Sequence, residues 1–494
     1  MMRSLYSGVS GLRVHQTKMD VIGNNISNVN TVGFKASTVT FSDILYQTTQ
    51  SASGPNSDTG TAGTNAKQIG LGSNLASITA SMSTPGGSQR TDNPFDVMIE
   101  GDAFFVVNNG SGNYFTRAGA FTVDARGTLC TPTGATVMGW QPDPENPSKC
   151  LVTDVSALQV MSPANMSSPP EATTDVTLTG NIDYNDTQLT SAAGRVVNVS
   201  FYDNLGHLYT AGLKFQQVGA ATGSDEAVTN QYRITVTDIK DETGQSLFVR
   251  KNVDEEGNVT YSTNEAYAGQ FSFGVGDGLN TLEIGDVNEQ TGEFTIEQEG
   301  VLLNFNASTG RFVSVGEDAE AGSTKMTLAS AVTPNPFANV DIDFSSLTMY
   351  QSSGTTTIEP TKGDLERGAG AGKAMGDLSG ISIDTEGKIY GSYDNGDQKL
   401  LGQIAVASFA NPAGLEAIGN NMFAATQNSG EFDGVGENIK SSGGKFSTGV
   451  LEMSNVDLAA QFTDMITTQR GFQANSRIIT TSDSLLEELV NLKR

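Results

Sequence analysis

Side chains that could move protons, attack a substrate or hold a metal are scarce in this chain. Its 494 residues include two histidines, His15 and His207, too few for a histidine metal cluster or a duplicated His-based relay. His15 lies in a helical stretch and reads as a polar helix position, whereas His207 sits beside a hairpin turn and reads as a surface residue. The run Gly368-Ala-Gly-Ala-Gly372-Lys373 approaches a phosphate loop, but Arg367 stands where the first glycine is required. Ala374 then follows the lysine in place of Ser or Thr. A flexible joint between modules is the better reading. Asp254, Glu255, Glu256 and Asn258 offer oxygen ligands for calcium, yet their spacing misses the EF-hand loop, so a solvated acidic loop is expected. Cys130 and Cys150 allow one disulfide or two free thiols, with no CxxC spacing for metal. Phe104, Phe105, Phe115, Phe121 and Trp140 fall in predicted strands and read as core. These residues call for no catalytic group, no cofactor and no metal, and the chain reads as a structural protein rather than an enzyme.

The elements that carry these residues are more informative. Leu5 to Lys35 and Ser454 to Arg494 read as long helices, and the roughly 400 residues between them read as β-structure. Leu5, Val9, Leu12, Met19 and Ile26 recur at heptad spacing, with Gln16 and Gly23 in the gaps. The helix should stop near Asn28 to Gly33, in a stretch of β-branched residues and turn formers. At the other end Leu458, Met465, Phe472, Ile479 and Leu486 recur every seven residues, and Phe462, Ile466, Ile478, Leu485 and Leu489 widen the stripe. Ser454 and Asn455 are N-cap candidates, Asp457 belongs to the first turn, and Lys493 and Arg494 suit the negative helix end. A helix of about 38 residues would be roughly 57 Å long, too long to stand without partners. An apolar stripe in water is unfavourable, so each end is expected to bury its stripe on the other or on neighbouring copies. The fold class is therefore mostly β with long α-helical termini. The terminal helices are expected to pair as an antiparallel coiled coil, followed outward by β-rich domains built as nested insertions.

Composition narrows the partners. Lys and Arg number 28 against 55 Asp and Glu, a net charge of −27, which disfavours contact with nucleic acid or an anionic membrane surface. The ends differ: Arg3, Arg13, Lys18 and Lys35 face Asp20 alone in the first 35 residues, while residues 451–494 hold six acids and four bases. No apolar run is long enough to span a membrane, so no membrane insertion is expected. No cleavable signal is legible near Arg3, which taken alone suggests a cytoplasmic protein.

Four regions follow from the pattern. Residues 1–35 plus 454–494 form a terminal helical domain, and 36–68, rich in Ser, Thr, Gly and Asn from Thr48 to Lys67, reads as an extended connector. Residues 69–150 plus 365–450 read as an inner β domain, with hairpins at Asp124 to Gly127 and Asn395-Gly396. Residues 151–364 read as outer β structure, in one module or in two with a nested one at about 240–310, where the sequence is acidic and Gly-rich.

Two segments at opposite ends carry a family resemblance. Asn24-Asn25-Ile26-Ser27-Asn28-Val29-Asn30-Thr31-Val32-Gly33-Phe34-Lys35 is one. Leu451-Glu-Met-Ser-Asn455-Val-Asp-Leu458, followed by Gln469-Arg470-Gly471-Phe472-Gln473-Ala474-Asn475-Ser476, is the other. Both resemble signatures of the bacterial flagellar axial proteins, the rod, hook and hook-associated subunits. Gly101-Asp102-Ala103-Phe104-Phe105-Val106-Val107 and Thr116-Arg117-Ala118-Gly119-Ala120-Phe121 look like the core domain shared by rod and hook. The large middle insertion and Gly402 to Leu415 are similar to the hook branch, with the shorter distal rod as the alternative.

The resemblance implies a subunit that polymerises with many copies of itself into the flagellar hook, a curved tube that acts as a universal joint. It implies torque transmission from rod to filament around an export channel. Rod, hook cap and hook-filament junction proteins are the implied partners, together with the flagellar type III export apparatus. Export would occur without a cleaved signal peptide, which replaces the cytoplasmic expectation with an extracellular one.

Overall fold

The computed structural model describes residues 2–55, 60, 62–218, 230–254, 257–276, 278–316, 322–365 and 368–492. Arg367, Glu255, Glu256, Lys493 and Arg494, named above, lie outside them. The chain divides into two compact units: Met1–Met166, Leu378–Ser392 and Gln398–Arg494 make the first, Ser167–Asp377 and Tyr393–Asp397 the second.

Both long helices belong to the first unit. The N-terminal helix spans Met2–Ser27 and ends where Asn28 turns its side chain back, its Nδ2 donating to Asn24 O at 2.9 Å. The C-terminal helix spans Leu458–Asn491, about 51 Å at 1.5 Å per residue. Its N-cap is Asp457, whose carboxylate accepts from Ala459 N and Ala460 N at 2.8 and 3.2 Å. Neither Ser454 nor Asn455 caps it. The chain is still extended there, leaving strand Val450–Glu452, and the Asn455 side chain is engaged elsewhere.

Among the described residues, most of the supposed connector is instead β-ribbon. Ser37–Asp43 pairs antiparallel with Ser73–Ala80, and Tyr46–Gln50 with Lys67–Gly70. The Ser and Thr content between Thr48 and Lys67 that suggested a loop supplies cross-strand hydroxyl contacts, Thr49 Oγ1 donating to Lys67 O at 2.9 Å and Ser53 Oγ lying 2.8 Å from Thr64 Oγ1, which suit an exposed ladder. The β core of this unit runs through Gln398–Ile404, Thr136–Trp140, Phe104–Asn108, Asn113–Thr116, Met422–Ala424 and Glu416–Gly419 in spatial order. Phe104, Phe105, Phe115, Phe121 and Trp140 are all buried, four of them in strands and Phe121 just before strand Thr122–Val123. The Trp140 Nε1–H is satisfied by Thr153 O and Val435 O at 3.1 and 3.0 Å. Cys130 and Cys150 are free thiols, and burial pushes that of Cys150 up to about 11.

The two larger sheets of the second unit share one core. One is ordered Gly278–Thr281, Phe271–Val275, Lys325–Ser330, Val340–Asp343, Asp175–Asn181, Leu347–Thr348. The other is ordered Arg195–Tyr202, Leu208–Gln217, Gln231–Lys240, Val301–Phe305, Phe312–Val315. Strand alternation turns Val197, Val199 and Phe201 inward. Residues 240–310 do not form a module of their own: Phe271, Phe273, Leu303 and Phe305 share one core with Val199, Phe215 and Phe344. The acidic loops that suggested a boundary connect strands whose inward residues are as apolar as the rest. The glycine-rich run is likewise no flexible joint. Gly370 O accepts from Thr174 N at 2.9 Å, Ala371 O accepts from Thr173 Oγ1, and Lys373 pairs with Glu171 and Asp397 at 3.2 and 3.0 Å. His207 is exposed, its Nδ1 3.0 Å from Asp203 Oδ2.

Candidate self-assembly site at the joined chain ends

The two helices run antiparallel in contact. Ser4 Oγ lies 3.4 Å from Ser482 Oγ, Lys18 Nζ 3.4 Å from Asp464 Oδ1, and Asn25 Nδ2 3.1 Å from Gln461 Oε1. The contact line differs from the expected one. A Cβ on Gly8 would stand 3.3 Å from Ile479 Cγ1, one on Gly11 2.5 Å from Asn475 Nδ2, and one on Gly471 2.8 Å from the His15 ring. Glycine on both helices lets the backbones approach closely. Small and polar residues therefore make up most of the seam, Gly8, Gly11, His15, Lys18 and Asn25 against Gln461, Asp464, Gly471, Asn475 and Ser482, with Ile478 and Ile479 packed over Gly8.

The predicted stripes sit one residue round from that seam on each helix. Leu5, Leu12, Met19 and Ile26 flank it on one side, Met465, Phe472, Ile479 and Leu486 on the other, all half-buried. Val9, Leu458 and Phe462 are exposed, Phe462 by 50 %, and Ile466 beside it by 59 %. Heptad counting found the right helices and the right face to within about 100° of rotation. It missed the line of contact because glycine carries no hydropathic signal.

His15 lies in this seam with Nδ1 buried and without a hydrogen-bond partner among the described residues. Its ring meets Phe41 edge-on at 6.0 Å. Burial, and then the Lys18 charge, hold its pKa below the ordinary imidazole range.

Below the helices the two signature segments converge. Asn25, almost wholly buried, uses its amide as a strand would use a peptide group. Its Oδ1 accepts from Ser37 N at 3.0 Å and its Nδ2 donates to Ser37 O at 2.9 Å. Asn455 does the same for the ribbon: Oδ1 accepts from Ala36 N at 2.6 Å, and Nδ2 donates to Ser81 O and Thr84 O. Asn24 and Asn28 close the helix end, and Thr31 donates to Asn28 Oδ1. Gly33 takes φ +69° and donates to Glu452 O at 2.8 Å; a Cβ there would lie 2.7 Å from Ala118 N. Phe34 is half-buried, its carbonyl accepting from Asn455 N. Asn30, Gln469 and Arg470 are exposed, and Arg470 Nη1 donates to Gln473 Oε1 at 3.3 Å. Of the predicted signature residues, then, those three stand outside the joint, and Asn475 stands in the helix seam.

At the centre is a buried ion cluster that periodicity did not indicate. Lys35 Nζ lies 2.7 Å from Glu452 Oε1 and donates to Thr84 O at 2.8 Å. Gly86 N donates to the same carboxylate oxygen at 3.0 Å, and Arg117 Nη1 stands 3.7 Å from Glu452 Oε2. Arg117 also donates to Gly101 O at 2.7 Å and covers the Phe104 ring at 4.9 Å. The Lys35, Arg117 and Glu452 side chains are 1–2 % exposed. Desolvation pulls Lys35 and Arg117 below their ordinary ranges, with Glu452 opposing it. The only signal in the sequence was that one signature ends in Lys and the other begins Leu-Glu. Nothing in this cluster activates a nucleophile; it fastens the two ends of the chain together.

This joint coincides with what relatives share. Family profiles match at three places: "Flagella basal body rod protein" over residues 5–35, "Flagellar hook protein FlgE/F/G D1 domain" over 98–184, and "Flagellar basal body rod FlgEFG protein C-terminal" over 447–492. The flagellar hook protein FlgE of Borreliella burgdorferi is 36% identical over 506 residues, covering all of both chains. The chain belongs to the flagellar hook protein family. The FlgE of Treponema pallidum is 35% identical, again over the full length of both. A Bacillus subtilis protein named flagellar basal-body rod protein FlgG is 27% identical, also over the full length of both chains, less than either of these two hook proteins. In this hook-family chain the first and last matched segments are the ones that Lys35 and Glu452 bind to each other.

Proposed function

We propose that this hook subunit polymerises through its paired terminal helices, which supercoil as an antiparallel coiled coil and line a tube around the export channel. The observation that carries this reading is the misfit between seam and stripe: the helices meet largely through glycine and polar residues and leave Phe462, Ile466 and Leu485 exposed. Apolar residues along a helix of this length are covered when other copies lie beside it. The β units form nested outer layers whose polar, Gly-rich surfaces slide as the tube bends, since small polar contacts exchange more readily than large apolar ones. Rod, hook cap and hook-filament junction proteins meet the two ends of this polymer. The subunit passes unfolded through the flagellar export apparatus without a cleaved signal.

Circular dichroism on monomer and polymer tests the assembly role. Helix content should rise on polymerisation as frayed helix ends are covered; equal content in both states would sink the proposal. Electron microscopy separates hook from distal rod, with curved tubes expected and straight ones favouring the rod.

A further inference from the structure

Two Asn-Gly pairs occur in the chain, Asn109-Gly110 and Asn395-Gly396. Asparagine before glycine can react with its own backbone, because no Cβ on the next residue obstructs the approach of that residue's nitrogen to the side-chain carbon. How fast it does so depends on how firmly the fold holds the asparagine amide, since a tethered site must open locally first.

Both pairs lie in tight turns of the same construction. Asn109 follows strand Phe104–Asn108 and precedes Asn113–Thr116, and its Oδ1 accepts from Ser111 N at 3.0 Å. Asn395 lies between Lys388–Tyr393 and Gln398–Ile404, and its Oδ1 accepts from Asp397 N at 2.9 Å. The glycine nitrogen is bonded in each turn, Gly110 N to Asn108 Oδ1 at 2.7 Å and Gly396 N to Tyr393 O at 3.0 Å, so it does not separate the two. The side-chain nitrogen does. Asn395 Nδ2 donates to Ala374 O at 2.9 Å, 21 residues away, and its amide packs so closely on Gly376 that a Cβ there would lie 2.4 Å from Asn395 Cγ. Asn109 is exposed, and its Nδ2 makes no hydrogen bond among the described residues. Gly110 takes φ +90°, and a Cβ built on it would meet nothing within 4 Å. One amide is fastened to a distant segment; the other is held only by its own turn.

We propose that Asn109 is a deamidation site and that the fold protects Asn395 from the same reaction. Gly110 N loses its proton and attacks Asn109 Cγ, and the new C–N bond closes a succinimide ring. The Cγ–Nδ2 bond breaks, and the nitrogen leaves with that proton as ammonia. Water then opens the ring on one side or the other, giving aspartate or isoaspartate, with nothing oxidised or reduced. Either product adds a negative charge at the hairpin tip, and isoaspartate lengthens the main chain there by a methylene. Asn108 and Asn113, whose side chains bond across the hairpin at 2.9 Å, keep the strands in register behind it.

Peptide mapping by mass spectrometry on the folded full-length chain, held in mildly alkaline buffer, tests this. The peptide with Asn109 should gain the mass of an amide-to-acid exchange, and contain isoaspartate, about tenfold faster than the peptide with Asn395, the factor that one net hydrogen bond and its packing supply. In denaturant the two rates should converge, because only folding separates the sites. Asn109→Gln should abolish the isoaspartate of its peptide. Equal rates in the folded chain, a faster Asn395, a difference that persists in denaturant, or isoaspartate that survives Asn109→Gln would each overturn the assignment.

Discussion

The second unit and the helical ends solve the burial problem in opposite ways. In the second unit, two sheets close over a single core in which Tyr232, Phe215, Phe273 and Phe344 are completely enclosed, and strand alternation alone sends the apolar residues inward. The helical ends place glycine, asparagine and serine between themselves and turn much of their apolar surface outward. One region is satisfied within a single chain. The other leaves apolar side chains in water in the single chain and is held by the Lys35–Glu452–Arg117 cluster at its base.

Paired substitutions break this contrast most sharply. Glu452→Ala strands two buried cations and should destabilise the first unit by about 3–5 kcal/mol. The chain's single tryptophan, Trp140, lies in that unit, so denaturant unfolding followed by its fluorescence should show the shift. Phe273→Ala should cost the second unit a similar ~3–5 kcal/mol, visible in circular dichroism but not in the Trp140 transition, and it should leave polymerisation intact. Coincident shifts of both signals in either variant would show that the two regions do not behave independently.

Gly11→Leu drives a branched side chain into Asn475 and should push the helices apart at a cost of ~1–3 kcal/mol. The expected result is reduced helix content at 222 nm and impaired assembly. Asp457→Ala removes the cap of the long helix and should cost about 1 kcal/mol, measured as a small fall in its thermal midpoint.

The smallest effect is that of His15. Its folded pKa is depressed, so the unfolded chain binds the proton more readily. Helix-pair stability should be full above about pH 6.5 and decline as pH falls through that value toward the folded pKa. Melting curves at pH 7.5 and 5.5 should differ in the parent chain and differ less in His15→Gln; an unchanged pH response in that variant would remove His15 as its source.

Much of this architecture was legible from residue order. Heptad spacing marked both helices, turn chemistry at Asp124 to Gly127 and Asn395-Gly396 marked hairpins, and the paired signatures marked the family. Ser and Thr between 48 and 67 misled, because their hydroxyls pair across a ribbon as readily as they solvate a loop. The glycine-rich run at 368–372 misled for a related reason. Its backbone is stitched to Thr173, Thr174 and Asp175, and hydrogen bonds to a distant segment leave no trace in local composition.

By itself the sequence determined what depends on neighbours along the chain: helix or strand, where each stops, and that the ends have apolar faces needing cover. Only the tertiary structure decided which atoms meet. Glycine at 8, 11 and 471 brings the helices together along a line that hydropathy does not mark. Lys35 and Glu452, 417 residues apart, are joined by folding alone, since a buried charge is tolerable only where a partner arrives through space.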